Sequence, residues 1–326
     1  MADGGTNVFV YLGGEQVVPL DVVHVIIDRS VKIIPEEAFY RRTKLISVET
    51  HEEVERIEFN AFYLCTSLRQ IKLIGVREIE QFAFFHCTSL TDVEFGDRLD
   101  RIGNSAFRYC ESLQKITMPS VRTVEDTAFA NCTLPDVEFG RNLETIQQHA
   151  FYICSSLRRI VIPLKDDIFP LVGDEQHRCS QLDCCPNLTT VDLVGGIHKA
   201  VSSLLMESWR TEINQEINRI NQDLPSTNSW GKAGAIRVWI RTVINRMEHY
   251  KAEHYRLLKE DMTQLELAIW KAKLDEKEDD NCNQKVQAKR VKIDADSARK
   301  ERRITSGADI IIGNVLPFLK LWEEEE

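Results

Sequence analysis

Long apolar runs are missing from this sequence: no uninterrupted stretch approaches the roughly 20 residues of a membrane-spanning helix. The opening MADGGTNVFV has neither a basic start nor an apolar core of signal-peptide length. A soluble intracellular chain is expected, cytoplasmic, with the nucleus as the alternative compartment and no membrane contact. Missing too are a phosphate-cradling glycine loop, a Gly-x-Ser-x-Gly nucleophile elbow and a His-Glu-x-x-His zinc helix. Nothing nominates a nucleophile and its base, so no enzyme and no cofactor is expected. An excess of basic residues is also absent, since 41 Lys and Arg face 51 Asp and Glu for a formal net charge of −10. That argues against a chain built mainly to hold nucleic acid. The nine cysteines are odd in number and follow no secretory signal, which does not suit a secreted disulfide framework. Free thiols are expected, and the sequons at Asn131 and Asn187 are then chance matches.

What the chain does contain is a period. Ala-Phe pairs end at Phe39, Phe62, Phe84, Phe107, Phe129 and Phe151, spaced by 23, 22, 23, 22 and 22 residues. Five residues before each Phe stands a β-branched residue: Ile34, Ile57, Ile79, Ile102, Val124 and Ile146. Three after it stands Cys65, Cys87, Cys110, Cys132 or Cys154, with Arg42 in the first copy. Six after it stands Leu45, Leu68, Leu90, Leu113 or Leu157, while the fifth copy is one residue short and uses Leu134. From the Leu each unit runs into a short alternating segment such as LRQIKL at 68–73, which is strand spacing. A unit of this length cannot bury its own apolar edge, but stacked neighbours share one core. The expected product is a curved solenoid with a parallel sheet, in which Phe, Cys and Leu form ladders. Cysteine suits a ladder because it is small, apolar and among the most buried residue types.

Seen whole from Ile146 through Phe151, Cys154, Leu157 and Ile160 to Pro163, this pattern resembles the BspA-like, treponemal-type class of leucine-rich repeats over about residues 20–163. A degenerate further unit, CPNLTTVDL at 185–193, follows an insertion in which Leu182 replaces the Phe. The early VFVYLGGEQVVPLDVVHV and the long helical tail are also similar to repeat proteins abundant in diatoms. The resemblance implies a horseshoe or L-shaped fold that binds other macromolecules through its repeats, and it implies no reaction.

Strand side chains alternate, so residues two and four after each ladder Leu should point away from the core. The charged ones are Glu49, Lys72, Asp92, Glu94, Lys115, Asp136, Glu138, Arg159 and Asp192, with the sign alternating between units. They form either a self-neutralising ladder that keeps the open sheet soluble or a partner-binding face. They do not form the continuous basic stripe a phosphate backbone needs. The nearest approach to a metal site is His177, Cys179, Cys184 and Cys185, but the spacing matches no closed zinc motif and Cys185 belongs to the ladder, so no metal is expected. His249 and His254 are five apart and share no helix face well.

Near residue 195 the spacing becomes helical. Val201, Leu204, Leu205, Trp209, Ile213, Ile217, Ile220 and Leu224 predict one amphipathic helix, ended by Pro225. A second runs from about Lys232 to Asp275 on Ile236, Ile240, Val243, Met247, Tyr250 and Leu257 at heptad-like steps, then Leu258, Met262, Leu265 and Ile269 after a slip of one. Such a helix pairs within the chain or drives self-association. DEKEDDN at 275–281 predicts a solvated turn, followed by a charged helix around 283–304. Its KR at 289–290 and RKERR at 299–303 form a solvated face or a two-part nuclear signal. The apolar ending with Ile310, Ile311, Leu316, Phe318 and Trp322 is expected to dock on the earlier helices or cap the solenoid.

The expected fold is thus an α/β leucine-rich-repeat solenoid of about six to seven units of 22–23 residues, followed by an all-α domain with a long helix. The expected division is 1–195, repeats with an N-terminal cap, and 196–326, a helical, coiled-coil-like domain. The expected role is a non-enzymatic module that binds a protein partner through the sheet face, the helices or both. The alternative is a structural protein whose helical rod drives homo-oligomerisation.

Overall fold

The computed structural model describes residues 8–14, 16–170, 180–194 and 206–284. Contacts divide the chain into two compact units, Met1–Glu248 and His249–Glu326. The first of these units joins the repeats with helical residues up to Glu248.

In the first unit the described residues make nine longer strands and six shorter ones. The longer ones are Val8–Tyr11 (β1), His24–Ile27 (β2), Ser47–Glu49 (β4), Gln70–Leu73 (β6), Asp92–Phe95 (β8), Lys115–Met118 (β10), Asp136–Phe139 (β12), Arg159–Ile162 (β14) and Thr190–Leu193 (β15). They stand in the orders β1-β2-β4-β6-β8 and β10-β12-β14-β15, the ladder being interrupted between β8 and β10. The shorter ones are Ile33–Ile34 (β3), Arg56–Ile57 (β5), Glu78–Ile79 (β7), Arg101–Ile102 (β9), Thr123–Val124 (β11) and Thr145–Ile146 (β13), which form a second sheet. Pairing is parallel throughout and each residue meets its counterpart one repeat away, as Lys72 meets Glu94 and Glu78 meets Arg101.

This register stacks like on like. The rings of Phe39, Phe62, Phe84, Phe107, Phe129 and Phe151 are buried and nearly parallel, with successive centroids 4.9 to 5.4 Å apart. Tyr11 closes one end edge-on at 5.1 Å, and buried Leu182 takes the Phe place after Phe151. The β-branched residue before each Phe ends a short strand and is buried: Ile34, Ile57, Ile79, Ile102, Val124 and Ile146.

The arc around each Phe satisfies its own polar backbone. The residues two before and two after it take positive φ without being glycine, for example Ser105 (54°) and Tyr109 (62°) around Phe107. That places the amides of Ser105, Phe107 and Tyr109 on the carbonyls of Asp126, Ala128 and Ala130 in the next repeat, while Ala106 and Arg108 bond within the turn. A left-handed non-glycine residue costs free energy, and a full set of inter-repeat hydrogen bonds offsets it.

The cysteines also bond between repeats. Each ladder thiol donates to the Phe carbonyl of the preceding repeat: Cys65 to Phe39, Cys87 to Phe62, Cys110 to Phe84, Cys132 to Phe107, Cys154 to Phe129 and Cys185 to Phe151, at 3.1 to 3.3 Å. In the first repeat Arg42 plays this part with a longer donor, its guanidinium reaching the carbonyls of Val18 and Tyr40.

Both outer strands of the longer-strand face carry a carboxamide on their free edge. Gln16 accepts from the Leu12 amide at 2.7 Å and donates to the Val10 carbonyl at 3.2 Å. At β15, Asn221 accepts from the Val191 amide at 2.8 Å and donates to the Val191 carbonyl at 3.4 Å. Each side chain stands in for a strand that is not there, which blunts an otherwise open edge. Asn221 lies on helix α1 (Met206–Asp223), which packs on β15. Helix α2 (Lys232–Gln284) begins at Lys232, which is 1% exposed and donates to the carbonyls of Pro186 (2.8 Å) and Leu188 (2.6 Å). Further along α2, Trp239 donates to the Glu216 carbonyl at 3.1 Å and Arg246 pairs with the buried Glu216 carboxylate at 3.1 Å, tying the two helices together. Ile213, Ile220, Leu224, Ile236, Ile240 and Val243 are buried, as the helical periodicity requires.

In the second unit the remainder of α2 leaves Leu265, Leu267 and Trp270 exposed, and Arg256 bridges Glu253 and Glu260 on its surface. The turn expected at 275–281 is not formed, and α2 runs through it to Gln284. That segment has no proline or glycine to stop a helix, and its Glu and Lys residues favour one. The expected charged helix beyond Gln284, the apolar ending at 310–322, and Val201, Leu204 and Leu205 lie outside the described residues.

Candidate protein-binding face

All nine charged residues expected on the strand face do alternate with buried neighbours there, and most find partners on the adjacent strand. Lys72 meets Glu94 at 2.9 Å, and Lys115 reaches Glu138 at 3.8 Å. Arg159 sits between Glu138 (2.9 Å) and Asp192 (2.6 Å). The Glu94 carboxylate holds the Lys72 ammonium above its usual range, and Asp192 does the same, with Glu138, for Arg159. Exposed pairs of this kind contribute about 0 to 1 kcal/mol each, so they neutralise the face more than they hold it together. Glu49, Asp92 and Asp136 have no ion-pair partner among the described residues.

The N-terminal strands of this face differ. In register, Val8 stands beside His24 and Ser47, and Val10 beside Ile26 and Glu49. Val8, Val10 and Ile26 are 43%, 46% and 38% exposed. His24 Nδ1 lies 2.8 Å from the Ser47 hydroxyl. A hollow of about 200 Å³ is lined by Val8, His24, Val25, Ile26, Ser47 and Glu49. A separate shallow depression is lined by Thr91, Ser112, Gln114, Thr133, Ser156 and Arg158. It spans the repeat that is one residue short, where Thr133 directly precedes Leu134.

A second ion ladder runs over the shorter strands and was not anticipated. Arg56 pairs with Glu78 at 3.5 Å, Arg101 contacts both Glu78 and Glu125, and Arg122 pairs with Glu144 at 2.5 Å. The signal was present only in part: Arg56, Glu78 and Arg101 stand immediately before Ile57, Ile79 and Ile102, whereas Arg122 and Glu144 stand two before Val124 and Ile146, and Glu125 follows Val124.

The cysteines hold no metal-binding arrangement among the described residues, where no group of three or more His, Cys, Asp and Glu side chains converges. His177 and Cys179 lie outside the described residues, Cys184 is half-buried, and Cys185 is a ladder residue. Burial pushes the thiols of Cys65 and Cys132 up to about 12, and raises Cys87, Cys110 and Cys154 as well. No helix among the described residues is long and apolar enough to cross a membrane.

Comparison with known proteins bears on the repeats. Residues 77–169 match the family model for the BspA type leucine rich repeat region in six copies. Among solved structures, the chain is similar to a leucine-rich repeat protein from Bacteroides ovatus (24% identity, 42% of this chain and 34% of that one, TM-score 0.34). It is similar to the T. pallidum leucine rich repeat protein (24% identity, 64% of this chain and 84% of that one, TM-score 0.34). It is also similar to a leucine rich cell surface protein from Faecalibacterium prausnitzii (22% identity, 58% of this chain and 64% of that one, TM-score 0.34). The chain thus spans about a third of the Bacteroides protein. No curated protein matches it.

Proposed function

We propose, from the match of residues 77–169 to six copies of the BspA type leucine rich repeat, that this chain is a non-enzymatic interaction module whose strand face binds a protein partner. The observation that carries this reading is the face itself, a parallel array in which outward side chains recur one repeat apart in strict register. Such an array offers a partner many weak contacts at fixed spacing, and it assembles no reacting group. Its mixed, paired charges favour a protein over a nucleic acid, which needs converging cations. The reading places the protein in the cytoplasm, where free thiols persist, with the nucleus as the alternative.

The test compares partners captured from the native cell by the full chain and by two variants. One reverses Glu49, Lys72, Lys115 and Arg159 in charge, and the other replaces Leu265, Leu267 and Trp270 by Glu. Loss of specific partners in the first alone supports the reading. A second reading, self-association through α2, is favoured by the exposed Leu265, Leu267 and Trp270. It requires a mass that grows with concentration in sedimentation equilibrium and returns to the monomer in the second variant.

A further inference from the structure

The strand face is not uniform. From β6 onward its cations are spent on neighbouring carboxylates. On β1, β2 and β4 the outward positions are instead three exposed aliphatic side chains, a His–Ser hydrogen-bonded pair, and the Glu49 carboxylate, which makes no ion pair because Lys72, beside it on β6, is paired with Glu94. The other nearby acid, Asp28, is already bonded to Ser30. This end therefore has apolar area to bury and one negative charge to match.

Resting on the reading that the face binds protein, we propose that this end receives an extended segment of a partner that crosses the strands and presents an aliphatic residue followed two positions later by Lys or Arg. The spacing comes from register. Strands lie about 4.8 Å apart, so Glu49 is roughly 7 Å from the midpoint between Val10 and Ile26. Side chains on one side of an extended segment are separated by about 6.8 Å. An aliphatic side chain seated between Val10 and Ile26 thus sets the next facing one above Glu49. Edge-on strand addition to β1 is opposed by Gln16, which already occupies the Val10 carbonyl and Leu12 amide. A second copy pairing patch to patch is opposed by charge, because it would bury two Glu49 carboxylates where these outward positions hold no Lys or Arg to neutralise them.

The experiment selects a random linear peptide library of about twelve residues on the full chain, then measures the selected peptides by fluorescence anisotropy. Expected is enrichment of aliphatic-x-Lys/Arg, loss of binding to Val10→Asp and Ile26→Asp, and about fivefold weaker binding to Glu49→Gln, the effect of one exposed ion pair. Reselection on Glu49→Lys should replace the basic position by Asp or Glu. All these side chains are exposed, and unchanged melting confirms that the variants fold. If binding survives these changes but is lost in Lys115→Glu with Arg159→Glu, the inference falls and the face reading stands. If neither set of changes affects binding, both fall. Failure to enrich any peptide overturns the inference alone.

Discussion

Replacing Phe107 by Ala probes the ring column at its middle. Phe107 is fully buried, stacked at 4.9 Å on Phe84 and 5.2 Å on Phe129, with Phe95 edge-on at 5.8 Å. Removing the ring forfeits its transfer free energy and leaves a cavity that rigid neighbours cannot fill, about 3–5 kcal/mol in all. With a urea slope of about 2–3 kcal/mol/M, the midpoint should fall by about 1 to 2.5 M, followed by circular dichroism. Phe107→Leu should cost less, since Leu182 occupies the same slot at the end of the column. Replacing Phe84 and Phe107 together should cost less than the sum of the two, by about 0.5–1.5 kcal/mol for the lost stack. A midpoint shift below about 0.3 M for Phe107→Ala would refute the column as a source of stability.

Lys232→Met should keep the burial but leave the carbonyls of Pro186 and Leu188 without their donor, lowering stability by about 1–3 kcal/mol in the same assay. Gly140→Ala would put a Cβ 1.7 Å from the Pro119 carbonyl oxygen of the preceding repeat, so a loss of about 1–3 kcal/mol is expected. Among the seven cysteines from Cys65 to Cys185 whose burial is described, mass-mapped labelling of the native protein near pH 8 should modify Cys184 and spare the six buried ones until unfolding. Burial makes the thiols of Cys65, Cys87, Cys110, Cys132 and Cys154 titrate above their ordinary value of 9.0, Cys65 and Cys132 at about 12. The folded state therefore holds protons that the unfolded state releases, and stability present below pH 9 should decline as pH rises toward 12. A melting temperature flat across that window would contradict the burial of the ladder.

Periodicity alone exposed the ladders, because a stacked array repeats the same environment and so demands the same residue type: Phe107, Cys110 and Leu113 were placed by spacing before any coordinate. The alternation of Lys72 and Glu94 with buried Ile71 and Leu73 was equally legible, since strand side chains alternate. Less legible was whatever depends on backbone conformation. Ser105 and Tyr109 adopt positive φ with no glycine to announce it, because the bonds that impose it come from the next repeat. The Cys thiol bond and its imitation by Arg42 needed the stacking geometry. Gln16, Asn221 and Lys232 were silent in sequence, as each caps the end of the array once and so belongs to no period. On the face, the charges could be located but not apportioned: Lys72 stands between Glu49 and Glu94 in register, and only the structure shows that it pairs with Glu94 and leaves Glu49 without an ion pair. The helix through 275–281 shows the converse, a charged segment read as solvent-exposed turn whose composition equally suits a solvated helix.

Hydroxyl-radical footprinting of the full chain, alone and with the partner it captures, tests most directly where that partner sits. Expected is reduced oxidation of Val8, Val10 and Ile26 on binding, with Leu267 and Trp270 unchanged. Protection of Leu267 and Trp270, with Val10 and Ile26 oxidised as in the free chain, would contradict the account and move recognition from the repeats to the helix.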